Sequence, residues 1–114
     1  MEPRLQPLRI PSGWNVSFND GFYNVDPPSD IIDPADPRWS VFKEDMLQLI
    51  HPRFDRLLDV GWYPEGDLAN GKYVLRLFEG DFHGRLLRSL ETRNRLHLVY
   101  EIEYLLALVT AGDL

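Results

Sequence analysis

The sequence predicts a single α+β domain, an antiparallel sheet of three or four strands with two helices packed on one face. Three observations predict this fold. Apolar and polar residues alternate on both sides of a turn-rich loop between positions 54 and 80, as in a β-hairpin. Apolar residues recur at helical spacing both before and after this hairpin. A chain of 114 residues suits one domain, so positions 1–114 are assigned to it.

The N-terminal part is predicted to contain a strand hairpin. Residues 1–6 are expected to be loose, and residues 8–10 lie between two prolines, which favours an edge strand. Alternating apolar residues over 14–19 predict a half-buried strand. Asp20-Gly21 is typical of a tight turn, so residues 22–25 are predicted to return as its partner strand.

The segment 26–37 has a biased composition, with four prolines and four aspartates. It predicts an irregular loop whose aspartates are solvated and cap turns. Calcium binding is one alternative, but the spacing is not that of an EF-hand loop. A second alternative is a docking surface for a basic protein, because residues 10–37 contain five aspartates and no lysine or arginine.

The first helix is predicted to begin at Asp36-Pro37, since aspartate caps free N–H groups and proline suits the first turn. His51-Pro52 is expected to end it. Its apolar residues at helical spacing are Trp39, Phe42, Met46, Leu49 and Ile50.

The central hairpin follows. One face of its first strand carries Leu58, Val60 and Trp62, and the matching face of the return strand carries Tyr73, Leu75 and Leu77. Pro64, Gly66 and Asn70-Gly71 provide the turn between them. Asp59 and Arg76 are predicted to form a structural pair across the opposite face.

Residues 80–91 leave two alternatives open, a turn of helix or an irregular crossing. Thr92 is expected to cap a last helix that Gly112 ends. Its main apolar stripe is Leu98, Val99, Ile102, Leu105, Leu106 and Val109. A second stripe at steps of four is Leu96, Tyr100, Tyr104 and Leu108. The first helix and the N-terminal hairpin are expected to cover this second stripe. The alternative is a homodimer contact through the last helix.

Composition restricts the partners. The chain carries 18 acidic and 12 basic residues, a formal charge of -6, which argues against nucleic acid because phosphate binding needs a basic surface. There is no cysteine, so disulfides and thiolate metal sites are excluded. The N-terminus lacks a signal-peptide core, and the longest apolar run is too short to span a bilayer. A cytoplasmic protein without a membrane partner is predicted.

No catalytic constellation is visible in the sequence. His51, His83 and His97 lack metal-ligand spacing, and no nucleophile or phosphate-binding motif is present. Asp81-Phe82-His83 contains the only neighbouring acid and histidine, and a surface turn is favoured over a ligand pair or an acid–base couple. The prediction is therefore a non-enzyme with no metal and no cofactor.

Several short stretches carry a family resemblance. They are IPSGW at 10–14, VDP at 25–27, FKEDML at 42–47, DVGWYPEGD at 59–67 and the closing ETR to IEYL at 91–105. In this order they resemble small bacterial immunity proteins of polymorphic-toxin and contact-dependent growth inhibition systems. The resemblance implies a cytosolic, non-enzymatic protein that binds and blocks a cognate toxin, often a nuclease. No individual binding residue of this chain can be assigned from the resemblance.

The preferred hypothesis is an inhibitor that neutralises a basic toxin by occlusion through an acidic surface. Two aromatic residues, Tyr63 and Phe82, are predicted anchors. The acidic residues predicted to bind the partner are Asp26, Asp30, Asp33, Asp36, Glu65, Asp67, Glu79 and Asp81. One alternative is a small ligand-binding domain or enzyme with a cleft near Asp81–His83 that includes Arg85. The other is a dimeric accessory protein that associates through the last helix.

Overall fold

Five strands form one antiparallel sheet, and one helix packs against it. The computed structural model describes residues 4–27 and 41–114. The strands are adjacent in chain order, from β1 at one edge to β5 at the other. The elements are β1 (Asn15–Asn19), β2 (Leu47–His51), β3 (Arg56–Tyr63), β4 (Lys72–Glu79), β5 (Leu86–Thr92) and α1 (Arg95–Thr110). The α+β class is confirmed, but the sheet has five strands, and one helix is found in the described part of the chain.

The central hairpin is confirmed with the predicted faces. β3 and β4 pair so that Leu58 lies opposite Leu77 and Trp62 lies opposite Tyr73. All four side chains are fully buried. Because directly opposed residues of an antiparallel pair point to the same side, this face forms the centre of the core.

The prediction of a first helix is wrong over the residues that the structure describes. Its predicted start at Asp36-Pro37 lies outside the described residues. Residues 47–51 form β2, which pairs with both β1 and β3. Leu47, Leu49 and His51 are buried, whereas Gln48 and Ile50 between them are not, so the segment follows strand alternation. Two flanking strands satisfy its backbone groups, and this long-range pairing overrides the helical spacing.

The prediction of an N-terminal hairpin is also wrong. β1 lies where a strand was predicted, but its residues are mostly exposed rather than half-buried. It pairs with β2, and residues 22–25 form no strand. Tyr23 makes only an isolated bridge to Leu5. A bulge after Val16 interrupts the predicted alternation, so Val16 lies opposite Leu49 and Phe18 lies opposite Gln48. The chain bends after β1 and buries Phe22 in the core.

Residues 86–92 form the strand β5, so neither predicted alternative for residues 80–91, a turn of helix or an irregular crossing, is found. β5 pairs along β4, with Leu90 opposite Leu75 and Leu86 opposite Phe78. Residues 81–84 form the turn that reverses the chain, and the Gly84 amide donates to the Asp81 carbonyl at 2.9 Å.

α1 begins and ends close to the predicted positions. Asn94, not Thr92, is the N-cap, and its side chain accepts a hydrogen bond from the His97 amide at 3.0 Å. Gly112 follows the helix with φ +81°, a conformation that glycine adopts without strain. The buried residues of α1 are Leu98, Ile102, Leu105, Leu106 and Val109, all from the predicted main stripe.

The core lies between α1 and one face of the sheet. Trp14 closes one side of it, and its indole Nε1 donates to Thr110 Oγ1 at 3.1 Å. The second stripe of α1 is not covered as expected, because Leu96, Tyr100 and Tyr104 are exposed. Burial of α1 against a single sheet face leaves its other side free.

Candidate functional site

The face of the sheet turned away from α1 is called the open face. The strand register places Ile50, Leu57, Phe78 and Leu86 side by side across β2 to β5. Phe82, from the β4–β5 turn, packs against Phe78 with ring centroids 5.6 Å apart. These five residues are called the apolar patch. Leu57 at the centre of the patch is buried, whereas Phe82 and Leu86 are each 48% exposed, so the patch is uncovered at its β5 end.

A polar row lies next to the apolar patch. Gln48, Asp59, Arg76 and Ser89 are aligned across β2 to β5. Asp59 and Arg76 are therefore opposite each other as predicted, but the Arg76 guanidinium lies over the Tyr63 ring, 5.5 Å from its centroid. Gln48 Nε2 donates to Asp59 Oδ1 at 3.4 Å.

Asp59 is buried although it lies on the open face. Burial raises the pKa of its carboxyl from 3.8 to about 6, because the charged form loses its water. The hydrogen bond from Gln48 opposes this increase, the nearby Asp45 carboxylate adds to it, and Arg76 opposes it. Burial also raises the pKa of the Tyr63 phenol, and the negative charge of Asp59 contributes.

Carboxylates collect at the far end of the open face. The Glu44 amide donates to Glu65 Oε1 at 2.9 Å, which joins the irregular segment preceding β2 to the β3–β4 loop. Glu44, Asp45 and Glu65 are exposed. Together with Asp59 they form what is called the acidic end. A basic group placed here meets several negative charges at short range.

The residues predicted to bind a partner fall into two groups on the central hairpin. Tyr63 ends β3, and Glu65 and Asp67 lie in the β3–β4 loop. At the opposite end of β4, Glu79 is its last residue, and Asp81 and Phe82 follow it. Eight residues of β4 separate these groups, roughly 24 Å at the usual strand rise.

One of the four predicted aspartates of the 26–37 segment, Asp26, belongs to the described residues. Asp26 lies beside the start of α1, where Arg95 Nε contacts it at 2.8 Å. Three further predicted residues, Asp30, Asp33 and Asp36, lie outside the described residues. The contribution of this segment to partner binding therefore stays a prediction.

Most of the predicted acids make contacts within their own chain. Glu79 pairs with Arg85 at 3.1 Å. Asp67 accepts the Asn70 amide at 2.9 Å, and Asp81 accepts the His83 amide at 2.8 Å. Exposed ion pairs contribute about 0–1 kcal/mol, so a partner's base can replace Arg85 at little cost.

The Asp81–His83 segment is a solvent-exposed turn. All three of its residues are exposed, and the Asp81 carboxylate holds the turn through the His83 amide. Arg85 contacts Glu79 rather than these side chains. The favoured interpretation of this segment as a surface turn is confirmed.

The sequence interpretation missed most of the open face. Phe78 lies two residues after Arg76, which the alternation assigns to this face, so the sequence contained that signal. The position of Leu86 on this face depends on β5, a strand that the sequence did not predict. Ile50 was assigned to a helix, which hid its place beside Leu57.

Residues 4–27 and 41–114 contain no group of three or more His, Asp or Glu side chains able to hold a metal ion. No helix in these ranges is long and apolar enough to cross a membrane. No protein-family model matches the chain, and neither a curated protein nor a solved structure matches it. The resemblance to immunity proteins therefore stays a prediction.

Proposed function

We propose that this chain is a non-enzymatic, cytoplasmic inhibitor that covers the functional surface of a basic protein with its open face. The observation that carries the proposal is the combination on one sheet face of an apolar patch that is exposed at its β5 end and an acidic end. This function agrees with what the resemblance to immunity proteins implies, with a toxin as the partner.

The apolar patch supports a protein partner. Contiguous uncovered apolar surface on a monomer is typical of an interaction site. Phe82 and Leu86 are half exposed beside the less exposed Phe78, so a partner side chain that contacts all three becomes desolvated. Aromatic residues in such a position supply a large share of binding energy in protein interfaces.

The acidic end supports a basic partner. Glu44, Asp45 and Glu65 are exposed, and the whole chain carries a formal charge of -6. Complementary charge accelerates association and selects among partners more than it adds affinity. The acidic end is therefore assigned to steering, and the apolar patch is assigned to holding the complex together.

The size of the open face fits one partner. A standard interface buries about 800 Å² on each side, which is a patch roughly 30 Å across. The roughly 24 Å length of β4 lies within that size. One partner centred on the open face contacts both predicted anchors, Tyr63 at one end and Phe82 at the other.

The test uses the product of the neighbouring gene, expressed with and without this chain. Wild-type protein is expected to co-purify with that product and to relieve its toxicity. The variant Phe82→Glu with Leu86→Glu is expected to lose both effects, because it places charge in the apolar patch. Tyr100→Glu with Tyr104→Glu on α1 is the matched control, since it adds the same two charges at exposed positions on the other side of the molecule.

A second variant separates steering from holding. Glu44→Gln with Glu65→Gln is expected to slow association, and added salt is expected to reduce the difference from wild type. The proposal is refuted if no complex forms with the neighbouring product. It is also refuted if the Phe82 and Leu86 double variant, shown to be folded by circular dichroism, binds and protects as well as the control with Tyr100→Glu and Tyr104→Glu.

A further inference from the structure

α1 has a second face that the core does not use. Leu96 and Tyr100 are each 64% exposed, and Tyr104 is 50% exposed. The two tyrosine rings are stacked with an interplanar angle of 4°. Leu108, half-buried, continues the same line one turn further. These four residues are called the helix stripe.

We propose that the helix stripe is a homodimer interface in which α1 packs antiparallel against α1 of a second copy. This interface is independent of the open face, because it lies on the side of α1 remote from the sheet. A dimer can therefore bind a partner on each open face.

The order of residues in the stripe supports a second copy as the occupant. A two-fold interface must be complementary to itself, because both subunits present the same patch. Read in either direction, the stripe is Leu, Tyr, Tyr, Leu at steps of four. In an antiparallel pair centred between the tyrosines, Tyr100 lies opposite the partner's Tyr104, and Leu96 lies opposite the partner's Leu108.

The geometry of the stripe fits a known mode of helix packing. Residues four apart form a ridge along the helix surface, and two such ridges pack at a crossing angle of about -50°. From Leu96 to Leu108 the ridge is roughly 18 Å long at the usual helical rise. It occupies most of α1, which has 16 residues.

The charges beside the stripe are engaged within their own chain. Glu101 contacts the His97 ring at 3.6 Å, and Glu103 accepts a hydrogen bond from the Arg9 amide at 2.8 Å. The remaining opposition is the formal charge of -6 on each copy. Salt screens such repulsion, so this dimer is expected to become tighter as ionic strength rises.

The area of the stripe predicts a weak, reversible dimer. A buried aromatic side chain removes about 150–250 Å² from water, so two half-exposed tyrosines and Leu96 supply about 400 Å² per copy. The total of about 800 Å² is half of a standard interface. Association is therefore expected at high micromolar concentration.

The first test is sedimentation of the full chain from low micromolar to millimolar concentration. The mass is expected to rise from 13.3 kDa toward twice that value, and to rise earlier with added salt. Tyr100→Glu is expected to weaken association at least tenfold, because each dimer then contains two buried charges. Phe82→Glu on the open face is the matched control and is expected to leave association unchanged.

The second test establishes the orientation. The chain has no cysteine, so single cysteines can be introduced without background. Tyr100→Cys mixed with Tyr104→Cys is expected to cross-link between the two variants more than either cross-links with itself. The proposal is overturned by a monomer at every concentration, by equal weakening from Tyr100→Glu and Phe82→Glu, or by preferential cross-linking of Tyr100→Cys to itself.

Discussion

Replacing Asp59 with asparagine is expected to stabilise the protein at neutral pH. Asp59 is buried on the open face, and burial raises its pKa from 3.8 to about 6. Asparagine has nearly the same shape and keeps an oxygen that can accept the hydrogen bond from Gln48. It has no charge to remove from water, so the cost of burying an ionised group disappears.

The sign and size of the effect follow from proton linkage. The pKa of Asp59 is higher in the folded state, so the unfolded chain loses this proton first as pH rises. The stability that the protonated carboxyl provides is complete below about pH 4 and is lost as pH rises through about 6. The two pKa values differ by about 2, which corresponds to about 3 kcal/mol. The advantage of Asp59→Asn over wild type should therefore grow by up to about 3 kcal/mol between pH 4 and pH 7.5.

Urea unfolding of both proteins at several pH values measures this difference. Asp113→Asn is the control, because it removes one negative charge from an exposed position near the C-terminus. That control is expected to remain within about 0.5 kcal/mol of wild type at every pH. A difference between Asp59→Asn and wild type that stays constant with pH, or shrinks as pH rises, refutes the reasoning.

Three further predictions concern stability and use urea unfolding at pH 7. Gly61→Ala should cost more than about 3 kcal/mol, because its Cβ would lie 1.9 Å from the Glu44 carbonyl oxygen, and a loss under about 1 kcal/mol would contradict the geometry. Asn94→Ala should cost about 1 kcal/mol by removing the cap of α1, whereas Asn94→Ser should restore most of it. Leu58→Ala should cost about 2–5 kcal/mol, whereas Leu86→Ala on the open face should stay within about 0.5 kcal/mol; equal losses would mean that the two faces are wrongly assigned.

The parts that the sequence predicted well have complete local patterns. In the central hairpin, alternation runs through both strands, and only one register buries every apolar residue of that face. In α1, the main stripe recurs through about three turns and is followed by a glycine. Neither pattern depends on a distant segment to be recognised.

The predictions that failed concern segments whose pattern fits two structures. Over 46–50, Met46, Leu49 and Ile50 satisfy helical spacing, while Leu47 and Leu49 satisfy strand alternation. β1 and β3 decide between them by supplying hydrogen-bond partners on both sides. The predicted N-terminal hairpin failed for the same reason, because β1 found its partner in β2 instead of the residues that follow the turn.

The candidate site shows the same division. The sequence predicted Tyr63, Glu65 and Phe82 as partner-binding residues, since aromatic and acidic residues at loops are visible without a structure, and their role stays a prediction. It did not place Ile50 beside Leu57, because that contact requires β2 to be a strand. The burial of Asp59 was equally hidden, since desolvation depends on neighbours from three strands.

The α+β class, the central hairpin and the buried stripe of α1 could be predicted from the sequence, because each follows from the spacing of apolar residues along one segment. The tertiary structure alone decided the five-strand order, the open face and the exposure of Tyr100 and Tyr104. These features depend on which segments pair and which surfaces are left over. Pairing is a competition between distant parts of the chain, and no local pattern contains its outcome.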